Sequence, residues 1–195
     1  MKKYLIVALG NIGAEYENTR HNIGFKIADE LAKNKDVSFD MKRLAFYSSY
    51  KFKGKIIHII KPTTFMNLSG KAIKYWMKEL NIPVENTLTL VDDIALPFGK
   101  IRLKPSGSDA GHNGLKSIAE YLDTITYPRL KFGIGDNYSK GRQIDYVLGE
   151  WTNHENEALS SYLDTAIKSI EDFIQTGMER AMNFNNWYPT IAFTI

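Results

Sequence analysis

Apolar residues follow two alternating rhythms along this chain. "YLIVAL", residues 4–9, is an unbroken apolar run that ends at Gly10, the pattern of a strand covered on both faces. From Asn22 to about Asn34 the rhythm changes, and Ile23, Ile27, Ala28 and Leu31 recur at helical spacing. "AFYSSYKFKGKIIHIIKP" reads as two strands turning near Gly54, an antiparallel pair. Ser69 is placed to cap a helix running through Leu80, with Ala72, Ile73, Trp76 and Leu80 on its inner face. "TLTLV", "KIRLK" and "RLKFGIG" are further strands, and Leu115, Ile118, Ala119 and Leu122 repeat as a helix. Leu159, Leu163, Ile167, Ile170 and Ile174 stripe a long amphipathic helix that stops at Gly177, with a short helix after it. No repeat, low-complexity tract or linker interrupts the pattern. Residues 1–195 therefore read as one α/β domain around a mixed sheet.

Composition sets outer bounds. A chain of 195 residues can bury a substantial core, and 44% hydrophobic with 24% charged residues is ordinary for a soluble protein. The absence of cysteine excludes disulfides and thiolate zinc sites and suits the cytoplasm. A net charge of +3 permits a nucleic-acid partner without requiring one. "MKKYLIVALGNIG" carries the lysines of an export signal. Its apolar run, however, breaks before the roughly 7–15 residues such a signal uses. No segment approaches the roughly 20 apolar residues that span a bilayer. A cytoplasmic protein without a membrane partner is the expectation.

Four loops rich in glycine or asparagine follow strands: "GNIGAEYENTRHNIG", "KPTTFMNLSG", "VDDIALPFG" and "PSGSDAGHNG". Open α/β sheets place their ligand crevice at such strand ends. Gly10-Asn-Ile-Gly13 lacks the opening of a dinucleotide loop, and "GSDAG" is no nucleophile elbow. Asp92-Asp93 has the charge for a magnesium ion, but no third carboxylate lies nearby in sequence. What remains is a histidine with a carboxylate partner, a pair able to activate water. Three carboxamides, Asn11, Asn67 and Asn113, offer donors and acceptors to peptide groups. Tyr16 and Phe65 offer surfaces on which a base or a peptide can stack. The other histidines read as structural or solvated: His58 inside "IIHII", His154 at a helix start, and His112 as a residue shaping its loop.

"ALGNIGAEYENTRHNIGF", "KPTTFMNLSGKAI", "DDIALPFGKIRLK" and "GHNGLKSI" strongly resemble the bacterial peptidyl-tRNA hydrolase family, in order, as far as "YVLG", with a weaker echo at "AMNFN". The resemblance implies a single-domain three-layer α/β/α sandwich around a mixed central sheet. It implies an enzyme that hydrolyses the ester between peptide and tRNA in peptidyl-tRNA, with no metal and no cofactor, acting in translation and ribosome rescue as a monomer. By position, His21 matches the catalytic base, Asp92 the carboxylate that keeps it basic, and Asn11 the residue that separates N-blocked from free aminoacyl substrates. Tyr16, Phe65, Asn67 and Asn113 match residues that contact the peptide and terminal nucleotides. Asn113, or the backbone N–H groups of the helix it opens, is also the expected oxyanion donor. Lys104 and Lys131 match the clamp on the tRNA 5′-phosphate, away from the chemistry. Three positions depart from the family pattern: Ile12 replaces a proline, Ala95 an acidic residue, and Lys131 a frequent arginine. The rival readings are a noncatalytic RNA-binding module and a hydrolase of another ester.

Overall fold

The computed structural model describes residues 1–186. Its seven strands are β1 (Lys3–Ala8), β2 (Asp40–Lys42), β3 (Ala45–Phe52), β4 (Lys55–Pro62), β5 (Thr87–Asp93), β6 (Ile101–Lys104) and β7 (Arg129–Gly133). They form one sheet in the order β2-β3-β4-β1-β5-β7-β6. The four central strands run parallel, while β3 and β6 lie antiparallel to β4 and β7. The helices are α1 (Ile23–Asn34), α2 (Ser69–Leu80), α3 (Asn113–Leu122), α4 (Gln143–Val147), α5 (Asn153–Thr176) and α6 (Met178–Asn185).

Strand alternation builds the layers. Tyr4, Ile6 and Ala8 of β1 face a core shared with α1, α5 and α6. Leu5, Val7 and Leu9 face a second core shared with α2 and α3. With both faces covered, β1 has no polar position to alternate, which explains its continuous apolar run. The three-layer sandwich is as expected. The β3–β4 hairpin turns through Lys53 and Gly54, both at positive φ, as a two-residue turn matched to strand twist demands.

Local capping differs from expectation at one helix. Ser69 does not cap α2: it is the first residue inside the helix, buried, and its hydroxyl donates to the Met66 carbonyl at 2.8 Å. The tight turn Met66–Leu68 feeds directly into α2, so the chain enters the helix without needing a side-chain cap. The long helix α5 does use one, a reciprocal box between Thr152 and Glu155. The free edge of β6 is covered by Asn186, whose carboxamide bonds to both N–H and C=O of Leu103 at 2.9 and 3.0 Å. The neighbouring Asn185 is buried and joins Ser169 to the Ala181 carbonyl. "AMNFN" therefore serves the fold. The tail from residue 187 onward lies outside the described residues.

After β1 the chain passes through α1 to the β4 side. After β4 it crosses over α2 to β5, on the other side of β1. The direction of winding thus reverses between β1 and β5, and a crevice opens at their carboxyl ends.

Candidate active site

His21 sits in a short 3₁₀ turn, Arg20–Asn22, just ahead of α1. Three contacts fix that turn. Gly24 packs so closely on the Leu9 and Leu90 carbonyls that any Cβ would collide with backbone. Arg20 is buried, makes two hydrogen bonds to the Glu155 carboxylate at 2.7 and 3.4 Å, and lies over the Tyr146 ring at 4.4 Å. The Asn22 carboxamide spans the main chain of Asn11, accepting from its N–H and donating to its C=O, both at 2.8 Å. The loop after β1 and the turn bearing His21 are thereby locked together, with the Asn11 side chain left free of hydrogen bonds among the described residues.

Asp92 and Asp93 end β5, and alternation sends them to opposite faces. Asp92 follows Leu88 and Leu90 toward α1, and its Oδ1 and Oδ2 accept from His21 Nδ1 at 3.0 and 3.2 Å. Asp93 turns the other way, accepting from Lys131 Nζ at 2.8 Å and from the Ala95 N–H at 2.8 Å. Asp92, not Asp93, is the partner of the histidine, the position that the family resemblance implied.

His112 was expected only to shape its loop; the structure corrects this by making it the third member of the cluster. Its Nε2 lies 3.1 Å from the same Asp92 Oδ1, and its ring centroid is 4.9 Å from that of His21. Its Nδ1 accepts from the N–H groups of Gly114 and Leu115 at 3.1 and 3.4 Å, capping α3. Those acceptor bonds assign the proton to Nε2, so the hydrogen-bond chain runs from a helix start through His112 to Asp92. They also occupy two of the backbone donors expected at an oxyanion. The sequence signal for His112 was its position immediately before the first turn of a helix.

Charge follows from these contacts. Burial raises the cost of ionising Asp92, but the imidazoles of His112 and His21 and their hydrogen bonds more than offset it, holding the carboxyl well below its usual range. Burial alone would lower the basicity of His21; the Asp92 charge and hydrogen bond outweigh it, and the pKa is raised from 6.5. With Nδ1 committed to Asp92, Nε2 of His21 has no protein partner among the described residues. The donor atoms of His21, Asp92 and His112 lie within 4.8 Å of one another, the one such trio among the described residues. Both imidazole N–H groups point at the carboxylate and fill the place a cation would take, so the trio is a hydrogen-bonded relay as it stands.

A cleft of about 310 Å³ opens over this relay. It gathers Asn11, His21, Asp92, Asn113 and Lys131 from the sequence-derived set, and adds Met66, Asp109, Ile144 and Leu148. Ala110 at the rim holds a positive φ of 50°, between Asp109 and Gly111. Four expected residues are not in the cleft wall. Phe65 is 80% exposed on the turn beside Met66, Asn67 is exposed on the same turn, and Tyr16 is half-buried in the loop after β1. Lys104 is exposed at the end of β6. In the β6–β7 register Lys104 lies opposite Arg129 and Lys131 opposite Arg102, so the two lysines share a face. Lys131, however, is mostly covered and paired with Asp93 in the cleft wall, nearer the relay than a distant clamp would be.

An α/β sheet whose switch-point cleft holds an imidazole tied to a buried carboxylate is an arrangement with the chemistry to activate water. The peptidyl-tRNA hydrolase family model matches residues 5–191. The chain is 52% identical to the peptidyl-tRNA hydrolase of Porphyromonas gingivalis over 184 residues, 94% of this chain and 100% of that one. It is 38% identical to that of Clostridium beijerinckii, covering 95% and 96% of the two chains. The crystal structure of peptidyl-tRNA hydrolase from Acinetobacter baumannii matches with a TM-score of 0.88 at 33% identity, covering 95% of each chain. This chain belongs to the peptidyl-tRNA hydrolase family.

Proposed function

We propose that this protein hydrolyses the ester of peptidyl-tRNA with His21 as general base. The observation that carries the mechanism is the 3.0 Å bond from His21 Nδ1 to Asp92, which leaves Nε2 as the proton acceptor in the cleft. Nε2 takes a proton from water as the water oxygen attacks the ester carbonyl carbon. The carbonyl electrons move to oxygen, where the Asn113 carboxamide donates. On collapse, the bond to the ribose oxygen breaks and the imidazolium returns its proton to that oxygen, releasing free tRNA and a peptide carboxylic acid. A positioned base supplies on the order of 10²–10⁴ in rate, and an oxyanion donor roughly 10²–10³. An ester is activated enough that these suffice without a covalent intermediate.

Recognition divides among the other residues. The free carboxamide of Asn11 reads the first peptide group, whose N–H and C=O are the same whatever the side chain. Asn67 lies on the exposed rim beside Phe65, where an aromatic ring can stack on the terminal nucleotides; Tyr16 approaches from the loop after β1. Lys104 and Lys131 face the tRNA phosphate, with Asp93 as a competitor for Lys131. The enzyme acts in the cytoplasm as a monomer. The test is release of N-acetyl amino acid from N-acetyl-aminoacyl-tRNA. Turnover by this protein and its loss in His21→Ala is the expected result; no release, or equal release by the variant, would refute it.

A further inference from the structure

The turn that carries the base is seated on a buried ion pair that takes no part in the proton transfers. The Arg20 side chain is 7% exposed, and the Glu155 carboxylate accepts two of its N–H groups, at 2.7 and 3.4 Å. The guanidinium also lies against two rings, 4.4 Å from the Tyr146 centroid and 5.6 Å from that of Trp151. We propose that Arg20, fixed by Glu155, is a positioning residue for the hydrolysis described above, the reading on which this inference rests. It sets the reach of His21 to Asp92 and fastens α4 into the cleft wall.

Three contacts join the base to α4, and all pass through the two residues before His21. The Arg20 N–H donates to the Gly149 carbonyl at 3.0 Å, the guanidinium donates to the Tyr146 carbonyl at 3.3 Å, and Thr19 bridges to Glu150. The Tyr146 hydroxyl adds a separate anchor, donating to the Ile134 carbonyl at 2.6 Å. The helix α4 buries no residue of its own, yet Gln143, Ile144 and Val147 line the cleft. A single short helix without a core face keeps its place through such contacts and not through its own propensity. The seat of Arg20 therefore governs the base and the cleft wall together.

Glu155 has two duties. The carboxylate oxygen that meets Arg20 at 2.7 Å also accepts the Thr152 N–H at 2.7 Å, closing the capping box of α5. Leu159 and Leu163 then bury α5 in the core shared with α1, so the ion pair moors the His21 turn to a well-packed helix. A guanidinium taken out of water needs both a counter-charge and partners matched to its planar fork; an ammonium supplies the charge without the fork. Misplacing a reacting group by about 1 Å costs on the order of 10²-fold in rate. A loosened Arg20 lets the His21–Asp92 bond lengthen, and the imidazole loses the contact that raises its basicity.

The test uses two variants that keep every charge. Arg20→Lys removes the fork, and Glu155→Asp withdraws the carboxylate by one methylene. Asp92 and His112 face His21, while Asp93, Asp109 and Lys131 line the same cleft and Tyr146 lies against Arg20; all of them remain in both variants. The midpoint of the His21 ring-proton titration is expected to move downward by about 0.5 in pH. The kcat on N-acetyl-aminoacyl-tRNA should fall by about tenfold, with a smaller change in KM. Thr152→Ala is the control: it removes the cap of α5 without touching Arg20, so Tm should drop while midpoint and kcat stay. An unmoved midpoint and kcat in Glu155→Asp, the milder variant, would overturn the proposal even where Arg20→Lys fails to fold. Equal shifts in Thr152→Ala would reduce Glu155 to a helix cap and overturn it too. Absence of hydrolysis by the wild-type protein would sink the hydrolase reading instead, whatever the midpoint does.

Discussion

Two histidines in this molecule are largely withdrawn from solvent and each hydrogen-bonded to one side chain, yet they differ in chemistry. His58 lies in β4 on the α2 face of the sheet, bonded through Nδ1 to the Tyr47 hydroxyl at 2.8 Å, with Nε2 buried and unpartnered. Tyr47 in turn stacks on Trp76, with ring centroids 4.9 Å apart. Burial and the nearby Lys3 charge push the His58 pKa down to about 4. His21 is partly shielded from solvent, but its partner is an ionised carboxylate, and its pKa is raised. A neutral hydroxyl leaves an imidazole inert, whereas a buried anion makes it a base. The difference lies in the partner rather than in the histidine.

Removing the base should have the largest effect. His21→Ala is expected to lower kcat by about 10²–10⁴ while tRNA binding is nearly unchanged, checked by single-turnover kinetics and a binding titration. Near-normal turnover would show that the two histidines do not differ in role. Next in size, Asp92→Asn makes the partner of His21 neutral, like that of His58. Its plateau rate should fall on the order of tenfold to a hundredfold, less than for loss of the base itself. Loss of the anion lowers the histidine pKa, so the acid limb of kcat/KM against pH should move to lower pH. Asp93→Asn should leave that limb in place.

The lysines come third. Lys104→Ala and Lys131→Ala are expected to raise KM for full-length tRNA substrates and reduce the salt slope by about 1 each, with a smaller change in kcat. A short substrate bearing only the terminal nucleotides separates the two: Lys104 should not affect it. Any effect of Lys131 there would mark its place in the cleft wall. The smallest change should come from His58. Replacing both members of the pair, Tyr47→Phe with His58→Phe, removes a donor and an acceptor together and is expected to shift stability by only about 1 kcal/mol at neutral pH, with activity intact. Because the folded pKa of His58 lies below 6.5, the wild-type protein should lose stability as pH falls from about 6.5 to about 4. Chemical denaturation across that window should show a flatter slope in the double variant. His21 contributes with the opposite sign: its stabilisation is present below 6.5 and is lost as pH rises through its raised pKa.

Much of this was legible before the structure. The β1 run, the helical stripes and the hairpin at Gly54 carry strong periodic signals, and all are present. Two elements had none. The strand β2 consists of three exposed residues, and α4 buries no residue; each exists through what it packs against rather than through its own pattern. At the site, alternation in β5 separates Asp92 from Asp93, but nothing local joins Asp92 to a histidine 71 residues away. Only the family resemblance did that. His112 escaped because an imidazole is an unusual helix cap, and its second bond, to Asp92, is a tertiary contact. Asn22 escaped because its partners are the main-chain groups of Asn11, which leave no trace in side-chain identity.

The contrast between the histidines can be observed directly by following the ring-proton chemical shifts of His21 and His58 against pH in the wild-type protein and in Asp92→Asn. His21 should titrate above 6.5 in the wild type and move downward in the variant, while His58 titrates near 4 in both. A His21 midpoint below 6.5 in the wild type, or one unmoved when Asp92 loses its charge, would contradict the claim that the buried carboxylate makes this histidine the base.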